Sequence, residues 1–106
     1  MKISMNRTSV GYTRQTAFKY ISEDKPIYCL SQELTPQQSF KDGRPTGEIV
    51  AYKLWCSQEG LPPFEVKLQD KLELPPYLTK ISFVDLEACE IKNNVYFKAS
   101  AFAVSK

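Results

Sequence analysis

The chain has 106 residues, 42% of them hydrophobic and 25% charged, with a formal net charge of +2. That suffices for one small domain with a real core and is too little for two. No apolar run approaches the roughly 20 residues of a membrane span, and residues 1–8 carry charge without the apolar stretch of a signal peptide, so the expected setting is the cytoplasm, away from membranes.

Residues 1–15 are polar and form an N-terminal arm or first strand, with Lys2-Ile3-Ser4-Met5 the β-prone part and Arg7, Tyr12 and Arg14 beyond it. Residues 16–106 read as a single domain. Within it, 16–22 (Thr-Ala-Phe-Lys-Tyr-Ile-Ser) is predicted to be a strand and 23–26 a turn closed by Pro26. Residues 26–31 form a second short strand. Residues 32–47 hold two prolines and two glycines and read as a loop, with Phe40-Lys41-Asp42-Gly43-Arg44 as a hairpin tip turning on Asp-Gly.

Residues 48–57 (Glu-Ile-Val-Ala-Tyr-Lys-Leu-Trp-Cys-Ser) carry the single tryptophan. On a strand, Ile49, Ala51, Lys53 and Trp55 share one face, while Val50, Tyr52, Leu54 and Cys56 share the other and read as core. After a break at 58–63, residues 64–69 alternate strictly, with Phe64, Val66 and Leu68 inward. Residues 78–92 and 95–104 are two β-prone runs on either side of Asn93-Asn94. A type I′ turn there gives a long C-terminal hairpin pairing Ala88 with Ala99, Leu86 with Ala101 and Val84 with Ala103. No segment has a sustained helical apolar period. The predicted fold is all-β, a small partly open barrel of five to six strands, with a sandwich as the alternative.

The chemistry points away from catalysis. Histidine is absent, so the commonest general base is missing, and no phosphate-cradling glycine loop, nucleophile elbow or metal-ligand cluster occurs. Asp85 and Glu87, two apart on one strand face, read as its solvated side. Cys29, Cys56 and Cys89 are too scattered for a structural zinc site and read as buried free thiols. No cofactor is expected.

Binding is better supported. Residues 1–53 hold eight basic and five acidic residues and all three arginines, whereas 54–106 hold six and seven. Basic residues also adjoin aromatic ones at Phe18-Lys19-Tyr20, Phe40-Lys41, Tyr52-Lys53 with Trp55, and Tyr96-Phe97-Lys98. Cations with exposed rings are what an unpaired polynucleotide requires, charge for phosphates and flat faces for bases. The candidates are Arg14, Lys19, Lys41, Arg44 and Lys53 for phosphates, and Tyr20, Phe40 and Trp55 for stacking.

From Arg44 to Lys106 the layout resembles small OB-fold single-stranded-DNA-binding proteins of mobile elements. The features are a glycine-containing loop, Leu54-Trp55-Cys56 in a strand, the Glu59-Gly60 turn, the Phe64–Leu68 strand, a Pro75-to-Leu78 corner, and a final hairpin ending in the basic Lys106. It is similar in outline to filamentous-phage helix-destabilising proteins and to OB-like proteins of Gram-positive conjugative elements. The resemblance implies an OB-type barrel that binds single-stranded DNA (or RNA) with little sequence preference, often as a homodimer, in replication or transfer of a phage, plasmid or conjugative element. The alternative is an accessory protein-interaction module of a replication, helicase or transfer complex without strong DNA affinity. The acids Asp85, Glu87 and Glu90 depart from the family pattern, which argues against DNA contact along that hairpin and reads instead as a protein-docking face.

Overall fold

The computed structural model describes residues 1–8 and 11–105, the side chains of 2–8 excepted. The Arg7 side chain and Lys106, both noted above, lie outside the described residues. The chain is mostly β, with one short helix, in the order β1 (Lys2–Thr8), α1 (Arg14–Tyr20), β2 (Ile27–Cys29), β3 (Thr35–Lys41), β4 (Arg44–Gln58), β5 (Phe64–Leu68), β6 (Lys80–Val84), β7 (Glu87–Ala99) and β8 (Ala101–Val104). One sheet contains all the strands, along the path β1-β7-β5-β4-β2-β6-β8, with β3 paired to β4 beside it. All pairings are antiparallel except β5 with β7, which is parallel.

Alternation builds the core. Leu54 and Cys56 of β4, Phe64, Val66 and Leu68 of β5, and Val95 and Phe97 of β7 are buried, and the Phe64 and Phe97 rings lie 5.2 Å apart between centroids. Burying a side chain of this size contributes about 1.5–3 kcal/mol. The inward reading of Phe64, Val66 and Leu68 therefore stands, as does the burial of the three cysteines as free thiols. Burial also pushes the Cys29 and Cys56 thiols up, leaving them protonated and inert. Buried Gln58 closes one end of the sheet, accepting from Ser22 N–H (2.8 Å) and donating to the carbonyls of Ser22 and Lys25.

Four expectations are corrected. Of the β4 face read as core, Leu54 and Cys56 are buried but Val50 is exposed, because β5 pairs with β4 only from Tyr52 onward, and Ala51, on the face read as outward, is fully buried. Residues 16–22 are not a strand, because Arg14–Tyr20 is helical. Thr13 is the N-cap, its Oγ1 accepting from Thr16 N–H (3.1 Å), and Ala17 and Ile21, four apart, fall on one buried face. Seven residues are too few for a helix stable alone, so packing on β7 holds it.

Residues 32–47 are largely strand. Pro36 sits in β3, which among the described residues pairs only with β4, and an edge strand tolerates the missing N–H. The hairpin tip does turn on Asp42-Gly43, both at positive φ (53° and 77°), as a type I′ turn requires.

Asn93-Asn94 is no turn, for β7 runs through it. Lys92 takes a positive φ of 54°, and the burial pattern changes across it, from the consecutive Ala88, Cys89 and Glu90 to the alternating Val95, Phe97 and Ala99. The asparagines thus follow an irregularity within a strand. The C-terminal pairing is instead β6 with β8, which places Val84 opposite Ala101 rather than Ala103. Only Ser100 separates β7 from β8, and its N–H donates to Val84 O (3.0 Å).

Thr13→Ala is expected to lower stability by about 1 kcal/mol in urea denaturation, with Thr13→Ser close to the parent. A change near zero would contradict the cap.

Candidate nucleic-acid interface

Cross-strand register brings distant cations together. Lys53 of β4 stands opposite Lys67 of β5, and Lys67 opposite Lys98 of β7. Their neighbours Leu54, Val66 and Phe97 point inward, so the three lysines form one outward row across three hydrogen-bonded strands. Trp55 pairs with Glu65 in the adjacent row, and the parallel register sets Tyr96 next to Glu65. Trp55 and Tyr96 are 41% and 46% exposed. The backbone beneath the indole is fixed, since Trp55 N–H donates to the buried Ser31 Oγ (2.7 Å) and Leu30 N–H to Trp55 O (2.8 Å).

Tyr12 extends this face. The Lys98 ammonium lies 4.5 Å from its ring centroid, within cation–π range. Burial raises its phenol to about 12, helped by Cys89, to which it is hydrogen-bonded, and by Tyr96. Lys98 also lies 3.7 Å from the Glu87 carboxylate.

The residues singled out from sequence fall into three groups. Lys53 and Trp55 share the outward face just described. Phe40, Lys41 and Arg44 are exposed at the β3–β4 tip, Phe40 at 67%, and Lys41 pairs with Arg44 across the turn. A cavity of about 320 Å³ lined by Phe40, Gln37, Lys53 and Glu65 joins this tip to the sheet face. Arg14, Lys19 and Tyr20 lie on α1. Arg14 is exposed, 3.8 Å from Glu23, and lines a 700 Å³ cleft with Lys67, Lys98, Asp70, Asp85 and Glu87.

Lys19 and Tyr20 serve a different purpose. Glu90 is only 3% exposed; Lys19 Nζ donates to its Oε1 (3.1 Å) and Tyr20 Oη to its Oε2. A buried carboxylate needs such partners, and here they tie α1 to β7. Asp85 likewise accepts from Ser100 Oγ (3.1 Å).

Sequence reasoning did not place Tyr12, Lys67, Tyr96 or Lys98 in the site. Strict alternation already turned Lys67 outward, but the β5–β7 pairing that joins it to Lys98 leaves no local signal. Comparison with family models, curated proteins and solved structures finds no match.

Two outcomes check this description. Tyr20→Phe removes a hydrogen bond to a buried charge and is expected to cost about 1.5–3 kcal/mol in urea denaturation. With the Tyr12 phenol raised from 10 to about 12, the folded state holds its proton where the unfolded chain releases it. Stability contributed by that phenol is then present below pH 10 and lost as the pH rises from 10 toward 12. Tyr12→Phe is expected to flatten this alkaline loss and to remove a step near pH 12 from the phenolate absorbance titration.

Proposed function

We propose that this chain is a non-enzymatic, single-stranded nucleic-acid-binding protein built on an OB-type barrel. The pairing order supports the barrel. With β7 and β8 counted as one strand bent at Ser100, the partners run β2-β4-β5-β7/β8-β6 and back to β2, with a single parallel contact. In that order β4 and β5 are the second and third barrel strands, the face on which OB folds carry oligonucleotides, and β3 belongs to the first connecting loop.

The observation that carries the function is the row Lys53, Lys67, Lys98 beside Trp55 and Tyr96. Like charges directly opposite one another on a sheet are unfavourable, and a run of phosphates relieves that repulsion. Each base stacked on a ring adds about 1–3 kcal/mol, largely irrespective of its identity. Lys41, Arg44 and Phe40 extend the same track along the hairpin arm, and Arg14 continues it past Lys98. The mobile-element setting and a homodimer follow from the family resemblance alone.

A second reading, an accessory subunit that docks a protein, draws on the exposed Ile49 and Val50 of the arm. Titrating Trp55 fluorescence with oligo-dT separates the two. Quenching that weakens as salt rises is expected, with a log–log slope that drops by about 0.7 for each of Lys53, Lys67 and Lys98 replaced by alanine. Trp55→Ala is expected to weaken binding, measured by anisotropy of labelled oligo-dT, while the fold survives. An unchanged signal at low salt overturns the nucleic-acid reading and leaves the docking one.

A further inference from the structure

We propose that the Tyr77–Leu78 corner, together with Tyr28 and Lys80, is a second platform for the same unpaired strand, carrying the track past Trp55 across β2 and β6; this rests on the nucleic-acid reading above. Tyr28 of β2 stands opposite Ser57 on one side and opposite Lys80 of β6 on the other. Their neighbours Ile27, Cys29, Cys56 and Ile81 are buried, so Tyr28 and Lys80 point outward, on the surface that carries Trp55. Two strand spacings, about 10 Å, separate β4 from β6. Lys80 is exposed and, among the described residues, has no carboxylate within 4.0 Å.

The corner is fastened beside this row. Leu78 N–H donates to Cys29 O (2.7 Å), Cys29 N–H to Thr79 O (3.0 Å) and Thr79 N–H to Pro76 O (3.1 Å). The next residue along, Leu30, donates to Trp55 O, so one short stretch of backbone holds both the corner and the strand beneath the indole. On this fixed backbone Tyr77 and Leu78 are 56% and 53% exposed, more open than Trp55.

Leu78 also has a φ of 63°. Left-handed backbone suits glycine, and a branched apolar side chain there is strained. Burial does not offset that strain, because more than half of the side chain stands in water. Strain of this kind collects where a surface meets a ligand. A ring and an aliphatic side chain held in place contact bases with little further ordering, and Lys80 supplies a cation for the phosphate between them. The occupant is the polynucleotide because the corner continues the surface of lysines and indole and adds a further cation to it.

The test compares oligo-dT of about 4 and about 16 nucleotides, the range of one OB-type site, by Trp55 fluorescence and anisotropy at low salt. Tyr77→Ala is expected to weaken the longer oligonucleotide about tenfold, the range of one lost base stack. The shorter one, which occupies the Trp55 centre alone, is expected to bind as to the parent. Leu78→Gly, at a φ that glycine adopts freely, is expected to keep the thermal midpoint and likewise to weaken only the longer oligonucleotide. Equal loss at both lengths assigns the corner to the fold and overturns the platform. No loss at either length also overturns it and leaves the proposed function standing. A parent chain that binds neither oligonucleotide overturns both.

Discussion

The pairing of β4 with β5 sets which side of the sheet faces the core and which faces water. Leu54 stands opposite Val66 and Lys53 opposite Lys67. A slip of one residue would turn Lys53 and Trp55 inward and Leu54 outward, because side chains alternate with a period of two. Leu54, Cys56, Phe64, Val66 and Leu68 are all fully buried in the observed register. At about 1.5–3 kcal/mol for each large side chain, the burial at stake is comparable to the 5–15 kcal/mol by which a small domain is stable. The outward geometry of the cations and the indole is thus a by-product of apolar packing on the other face.

The parallel contact between β5 and β7 extends that logic across the sheet. A parallel neighbour cannot be reached by a tight turn and needs a long crossover, supplied here by residues 69–86, which include β6. Phe97 is anchored inward opposite Val66, and Lys98 consequently lands beside Lys67. Three lysines thereby stand in register on neighbouring strands, with Glu87 and the Tyr12 ring both on Lys98. The free fold keeps this repulsion because the inward partners are worth more than the outward ones cost.

The legible parts of the sequence were those whose signal is local. Phe64-Glu-Val-Lys-Leu gives its strand by alternation, and Asp42-Gly43 gives its turn because few residue pairs accept two positive φ values. Residues 16–22 misled because their β-branched and aromatic content outweighed a helical signal of one turn's length, Thr13 with Ala17 and Ile21. Pro36 and Pro45 suggested a loop, yet β3 and the outer part of β4 form an exposed arm in which missing N–H donors cost little. Asn93-Asn94 carried a real conformational signal, for a positive φ occurs next to it at Lys92, but within a strand already pinned on both sides by β1 and β5.

The candidate site shows why residue adjacency is a weaker guide than cross-strand register. Lys19-Tyr20 and Lys53 with Trp55 look alike in sequence, each a lysine within two residues of a ring. They differ in what the fold sets opposite them. Glu90, some 70 positions away from Tyr20, lies in a nearly water-free place and must be met by donors, so Lys19 and Tyr20 are drawn to it. Lys53 meets Lys67, which gives it nothing to bond and turns both toward solvent. Whether a basic–aromatic pair stabilises the interior or presents a surface is decided by the partner strand, and that partner is fixed by the core.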